Sequence, residues 1–203
     1  SYEKPVPNKV VAKKFVPQSI LADVSVRDET YRALLSLLNL DHDHKNNLLR
    51  RGLTPQTIDK NLYRTVPTAD RFGLCQKLQD RGCILAGVPG FYQTSDSRWA
   101  LVPPGRGFLI PVLNIAGQIQ GLTVRLDHTR KGKYRWVSSY NYFNGVKAYG
   151  WVHVAGALQR QIILTEGHLK GEIVHQLTGQ TVIAVPGVNH LSEMKRLLPE
   201  LHD

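Results

Sequence analysis

Cysteine is scarce in this chain, with two in 203 residues, Cys75 and Cys83. Two thiols cannot make a four-ligand structural zinc site by themselves. A bridge between them is open in principle. Cys75, however, falls inside a helical pattern and Cys83 just past its end, so two buried free thiols are expected. Long apolar runs are missing as well, and nothing ahead of the cysteines reads as a secretory signal. The expectation is a reduced, cytoplasmic protein that does not enter a membrane. Charged residues make up only 21% against 42% hydrophobic, which excludes a disordered chain. No internal repeat is visible, and the length suffices for one or two domains with a real core.

Acidic residues are the most pointed local shortage. Between Gly105 and Gly150 the only acid is Asp127, against Arg106, Arg125, Arg130, Lys131, Lys133, Arg135 and Lys147. More than half of the net charge of +10 therefore sits in under a quarter of the chain, which points to an anionic partner. Aromatic residues are interleaved there and just beyond, at Tyr134, Trp136, Tyr140, Tyr142, Phe143, Tyr149 and Trp151, as a surface that stacks unpaired bases requires. A second reading stays open, in which Tyr134 and Trp136 are core and Lys133 and Arg135 face water. It explains a strand but not the clustering of charge.

The chain divides into four parts. Residues 1–25, with Pro5, Pro7 and Pro17, read as an extended arm or linker. Residues 26–104 are mainly helical in pattern. Tyr31, Leu34, Leu35, Leu37 and Leu38 form one apolar face, and Leu48 and Leu49 belong to a second helix stopped by Gly52. Thr54-Pro55 opens a third, and Thr68 is placed to cap a fourth, Ala69 to Arg81, with Gly82 as its stop. Residues 105–160 are strand-rich. Phe108 to Leu113, a turn at Asn114 to Gly117 and Gln118 to Leu126 make a hairpin, with Pro111 marking an edge or a bulge, and Tyr134 to Val137 add a strand. Residues 161–203 alternate strand, helix, strand, helix: Ile162 to Thr165, His168 to Thr178, Thr181 to Val185 and Leu191 to Leu198. That alternation implies parallel strands joined by right-handed crossovers.

Within this last part, Gln161-Ile-Ile-Leu-Thr-Glu166-Gly167 brings a carboxylate and a glycine to the carboxyl end of a strand. In open α/β sheets that edge is where ligands and metals bind. Spacing alone leaves two readings equally open, a ligand-binding acid or a helix-start carboxylate favoured by the macrodipole. Asp41-His42-Asp43-His44 raises the thought of a metal, but a polar helix start on the surface accounts for it better.

These residues carry a family resemblance. Arg51-Gly-Leu resembles the Arg-Gly-Leu helix end of bacterial DnaG-type primases. Arg106-Gly-Phe-Leu-Ile-Pro-Val and Gly117-Gln-Ile-Gln-Gly-Leu-Thr-Val-Arg125 are similar to their Phe-Pro-Ile hairpin and Gly-Arg-Val return strand. Lys133-Tyr-Arg-Trp-Val-Ser-Ser and Lys147-Ala-Tyr-Gly150 are similar to Lys-Tyr-Leu-Asn-Ser and Leu-Tyr-Gly. Ile163-Leu-Thr-Glu166-Gly167 and Val182-Ile-Ala-Val-Pro-Gly187 look like the Toprim acid motif and the strand and loop after it. The order is shared over about 150 residues and is closest to the divergent primase-like proteins of plasmids and other mobile elements.

The resemblance implies an α/β fold, an α+β primase amino-terminal subdomain over 26–160 followed by a partial Toprim, Rossmann-like parallel sheet over 161–203. It implies primer synthesis on a single-stranded DNA template from nucleoside triphosphates, with a replicative helicase as a candidate partner. Glu166 becomes the catalytic carboxylate and a ligand of Mg2+ or Mn2+. Arg125, Lys133 and Lys147 match the basic ridge and are the first choices for phosphate contacts, with Arg106 beside them and Arg130, Lys131 and Arg135 as second choices. Three departures weigh against activity of this chain alone. The Asp-x-Asp pair that completes the metal site is expected a few residues past Asp203, so metal binding should be weak or absent and the chain reads as truncated. Lys170 stands where the family often has an acid, and the family's Cys and His zinc ribbon is missing, so no zinc is expected. Unless Glu172 or Asp203 substitutes, the chain should not polymerise. A non-catalytic single-strand-binding module of a mobile-element replication complex, or another Toprim enzyme such as a nuclease, are the alternatives.

Overall fold

The helices at the start of the chain are set by local signals. On α1 (Val24–Ser36), Tyr31, Leu34 and Leu35 share one face at helical spacing and are fully buried, while Leu37 and Leu38 pack against the same core just past its end. On α2 (His42–Arg50), Leu48 is buried, Leu49 is half-exposed, and the chain turns away through Gly52 at φ +96°. α3 (Pro55–Lys60) begins as expected, with the Thr54 side chain accepting from Thr57 N–H and Pro55 in the first turn. The fourth helix departs from expectation: α4 runs Arg71–Asp80 and its cap is Asp70, not Thr68. The Asp70 carboxylate accepts from Gly73 N–H, and a Cβ on Gly73 would lie 2.1 Å from that carboxylate oxygen, so the glycine makes room for the cap. The computed structural model describes residues 17–102, 104–129, 132–187, 194, 195 and 197. Most of the arm, Arg130, Lys131, Asp203 and most of the helix expected over Leu191–Leu198 lie outside them.

The first sheet has the order β1-β4-β5-β6, all antiparallel: β1 (Arg64–Thr65), β4 (Gly107–Leu113), β5 (Ile119–Leu126) and β6 (Tyr134–Trp136). Asn114 closes the β4–β5 turn, its side chain accepting from Gln118 N–H, with Gly117 at φ +74°. Pro111 is tolerated because β1 pairs only with Phe108 and Leu109, leaving β4 an open edge at the proline, and the register slips just after it, between Val112 and Leu113. One face of this sheet, with Leu109, Leu122 and Val124, packs on α1 and α4. The other, with Phe108 and Ile110, packs on Leu48, Ile58, Tyr63 and Leu169. A short hairpin, β2 (Phe91–Gln93) with β3 (Trp99–Leu101), lies in the part expected to be mainly helical and has no counterpart in the sequence reading.

The second sheet is mixed. β8 (Ile162–Glu166) and β9 (Thr181–Val185) are parallel and joined by α5 (His168–Thr178), which Gly179 ends in the left-handed conformation. β7 (His153–Ala155), which precedes the part expected to form a parallel sheet, adds antiparallel to the other side of β9, giving β7-β9-β8, while the expected parallel pairing is that of β8 and β9. β9 is buried throughout, whereas β8 is an edge whose Leu164 is 57% exposed. The fold is α+β, with two antiparallel sheets, the smaller being the β2–β3 hairpin, and one mixed sheet among the described residues. Among the described residues no helix is long and apolar enough to cross a membrane.

Candidate nucleic-acid interface

Glu166 is the last residue of β8 and is exposed. Gly167 follows at φ +87°, its N–H donating to Val185 carbonyl at 2.7 Å, and α5 starts at His168. No hydrogen bond or ion pair ties the Glu166 carboxylate among the described residues, and none of them form a cluster of three or more metal-ligating side chains. Glu172 does not substitute. It is turned into the core, accepting at Oε1 from His153 Nε2 at 2.8 Å. Lys170 stands exposed on α5. Magnesium is commonly held by one or two carboxylates together with substrate phosphates. The described residues, with Glu166 alone, do not make such a site by themselves.

The basic residues divide by strand geometry. Arg125 on β5 stands opposite Phe108 on β4 and Tyr134 on β6, so the three share the sheet face that meets α5. Its guanidinium carbon lies 5.8 Å from the Phe108 ring centre, and its Nε is buried with no partner among the described residues. Arg125 and Arg106 line one hollow of about 440 Å3 with Arg50, His44 and His128, and with the acids Asp41, Asp43 and Asp127. Lys133 and Arg135 flank Tyr134, but alternation puts Arg135 on the opposite face, where its guanidinium donates to Pro104 carbonyl at 3.3 Å. Lys147 is exposed on the separate segment between β6 and β7, and Arg130 and Lys131 are outside the described residues.

His44 is not a free surface side chain. Thr65 Oγ1 accepts from Asp41 N–H at 2.8 Å and is hydrogen-bonded to His44 Nδ1 at 2.7 Å. His44 Nε2 then donates to Asp127 Oδ1 at 2.9 Å. The chain of bonds ties the first turn of α2 to β1 and to the end of β5. It also engages Asp127, the single acid of the basic stretch, whose charge stays in the hollow beside Arg106 and Arg125.

The aromatic residues are of two kinds. Trp136 sits 5.6 Å from Trp151 and 5.5 Å from His168, ring centre to ring centre, and this group packs down on Gly121. Tyr134, Tyr140, Tyr142, Phe143 and Tyr149 are between 37% and 54% exposed. Tyr142 is already packed against Tyr92, tilted by 33° at 4.2 Å between ring centres. Burial, with His153 close by, pushes the His168 imidazole down to about 3 against a weaker opposing hydrogen bond with the Trp151 backbone, so the ring is neutral where it meets Trp136. Core and surface readings of these aromatics therefore both hold, for different residues.

No protein-family model and no curated relative matches the sequence. Solved structures do match. The primase of Aquifex aeolicus, zinc-binding and RNA polymerase domains, aligns with 89% of this chain and 48% of its own at a TM-score of 0.64 and 15% identity. The RNA polymerase domain of Mycobacterium tuberculosis primase DnaG, in complex with a double-stranded DNA oligomer with a 6-nucleotide overhang, aligns with 88% of this chain and 60% of its own at 0.62 and 17% identity. A DnaG primase catalytic domain bound to single-stranded DNA gives 88%, 62%, 0.54 and 15%. The fold is that of a DnaG primase catalytic core. The chain spans about half to two thirds of the length of these primases.

On this primase-type core, the structure brings Arg106 and Arg125 together and sets Tyr134 beside them. His168, packed on Trp136, holds the Glu166 turn close to the same sheet face. It does not bring Lys133, Lys147 or Arg135 into that hollow. Arg50 and His128 are there without having been singled out. Arg50 is the last residue of a helix whose neighbour in space, β1, is a two-residue strand, and nothing in the local pattern of either announces the contact.

Proposed function

We propose that this chain is the nucleic-acid-binding core of a primase-like replication protein. Its complete form makes primers on single-stranded DNA by metal-dependent nucleotidyl transfer from nucleoside triphosphates. The observation that carries the reading is the packing of His168 on Trp136, which sets an exposed carboxylate at a strand's carboxyl end near a basic face with an exposed tyrosine. A template strand needs cationic contacts to its phosphates and aromatic planes for its bases. On this reading Arg125 and Arg106 take phosphates first, with Lys133 and Lys147 along the path and Arg130, Lys131 and Arg135 at its margin. Residues 26–160 are the amino-terminal subdomain and 161–203 part of a Toprim domain, with 1–25 as an arm. Glu166 is one ligand of Mg2+ or Mn2+, and the open edge of β8 at Leu164 receives a further strand that brings the remaining carboxylates. The plasmid-like subclass, a helicase partner and a cytoplasmic location belong to the same proposal.

A second reading, a binding module without catalysis, draws support from the inward turn of Glu172 and from Lys170 beside the acid turn. Titration of a labelled single-stranded oligonucleotide at several salt concentrations tests what the two share. Arg125→Ala and Lys133→Ala should each lower the salt slope by about 0.7, and Glu166→Gln should leave metal-free binding unchanged. Absence of binding at low salt, or unaltered slopes in both variants, would sink the nucleic-acid assignment. Primer synthesis by the complete protein, lost on Glu166→Gln, separates the primase from the module.

A further inference from the structure

A second hollow lies at the amino end of β8 and β9, by Gly156 and Ala157, whereas Glu166 lies at their carboxyl end. It holds about 480 Å3, within the range of small-ligand sites. Glu172, 5% exposed, is its acidic residue. The partner of Glu172, His153, accepts from Leu113 N–H at Nδ1 at 3.0 Å, so the imidazole carries its proton on Nε2 and is a neutral donor to the carboxylate. Burial alone would raise the Glu172 carboxyl. The hydrogen bond from His153, with the Asn61 amide beside it, outweighs it, so the group lies below its ordinary value and is ionised at neutral pH.

The pair thus holds a carboxylate charge in the interior with a neutral donor on it, and His175 faces the same carboxylate. An interior charge is costly to hold unless it is paired and hydrogen-bonded. Beside it the buried Asn61 amide lies near both Glu172 and the buried Tyr63 hydroxyl and lowers both groups, although neither Asn61 Nδ2 nor Tyr63 Oη has a hydrogen bond of good geometry among the described residues. The other charged residues of the lining are Arg32 and Lys60. Arg32 is committed to Asp28 and to Gly117 carbonyl, both at 2.8 Å. Lys60 is exposed and makes no ion pair among the described residues. The apolar part of the lining comes from Leu62, Pro111, Leu113, Ile119 and Val154.

We propose that this cavity binds a small zwitterion, an ω-amino carboxylate in its chemistry, with its ammonium on Glu172, its carboxylate at Lys60 and its aliphatic spacer against the apolar walls. The charge order decides between ligand classes. A diamine would set its second ammonium against Arg32 and Lys60, and a fatty acid would meet an anion at the acidic end. A cavity of this volume is roughly 10 Å across, which suits a spacer of about five carbons. The site is separate from the acid turn and from the basic sheet face, so it stands whether or not the chain binds nucleic acid.

Calorimetric titration of the chain with 6-aminohexanoate, hexylamine and hexanoate tests it. The zwitterion should bind at least tenfold more tightly than either single-ended compound. Lys60→Ala, at an exposed position that the fold does not depend on, should reduce 6-aminohexanoate to the affinity of hexylamine and leave hexylamine unweakened. Glu172→Gln should abolish binding of both amines. Hexanoate binding as tightly as the zwitterion, 6-aminohexanoate giving no saturable heat, or its affinity surviving Lys60→Ala overturns the assignment.

Discussion

At Gly121 the backbone of β5 passes directly beneath the indoles of Trp151 and Trp136. A Cβ there would sit 2.6 Å from the Trp151 ring and 3.3 Å from the Trp136 ring. Both rings are held from their other sides, Trp136 by His168 and Trp151 by the Arg27 guanidinium, 4.9 Å from its ring centre. Neither can retreat freely. Gly121→Ala should therefore cost about 1–3 kcal/mol by overpacking, read as a lower urea midpoint with unchanged slope, and a neutral effect would mean the indoles move easily. The cysteines make a different residue-scale case. Cys75 and Cys83 are both buried and unbridged, and burial pushes the Cys75 thiol up to about 12. Since the thiolate is the reactive form, a thiol reagent at pH 8 should modify Cys75 only as fast as the chain opens. Rapid labelling of the folded protein would show that this part of the core breathes.

Elements were legible in the sequence where their signals are local. The bounds of α5 and β9 agree with the periodicity reading because an apolar helical repeat, a glycine cap and a short β-branched run each act within a few residues. β7 was not legible, since three residues become a strand only by pairing with β9, more than twenty-five positions away. The β2–β3 hairpin failed for the same reason of size. The start of α4 was misread because Thr68 is a good cap by type, while Asp70 holds the geometry. Asp70 lies in the left-handed region at φ 55° and bonds to Gly73 N–H at 3.1 Å. Two effects can be separated there. Asp70→Ala loses the cap and keeps the strained φ, and should cost about 0.5–2 kcal/mol, whereas Asp70→Gly relieves the strain and should cost only a few tenths. The ion pair of Asp70 with Lys77, at 3.9 Å on the surface, adds little to either figure. Thermal unfolding of both variants decides it, and equal losses would assign the whole effect to the hydrogen bond.

Over the whole molecule, the strand end bearing Glu166 and the basic stretch around Arg125 could be read from short motifs, but the join between the two sheets could not. That join runs through His153, which accepts from Leu113 of the first sheet, stands on β7 of the second, and donates to Glu172 of α5. His153 and Glu172 are 19 positions apart, and neither has a periodic role that marks it. Their bond links acid stability to assembly of the halves. The folded chain holds the Glu172 carboxyl below its ordinary value. The unfolded chain, with a carboxyl near about 4.3, therefore binds more protons in the acid range. Stability from this group is fully present above that pH and falls as pH drops through it toward the folded value. Tyr63 and Asn61 on one side and His175 on the same helix also face Glu172, and none of them removes the sign of the effect. Urea midpoints should thus fall more steeply between pH 5 and about pH 3 in the natural chain than in Glu172→Gln, and the two should converge at the acid end. Parallel curves would mean that other carboxylates govern acid unfolding and that the bond from His153 to Glu172 holds the sheets together no more firmly than a neutral amide would.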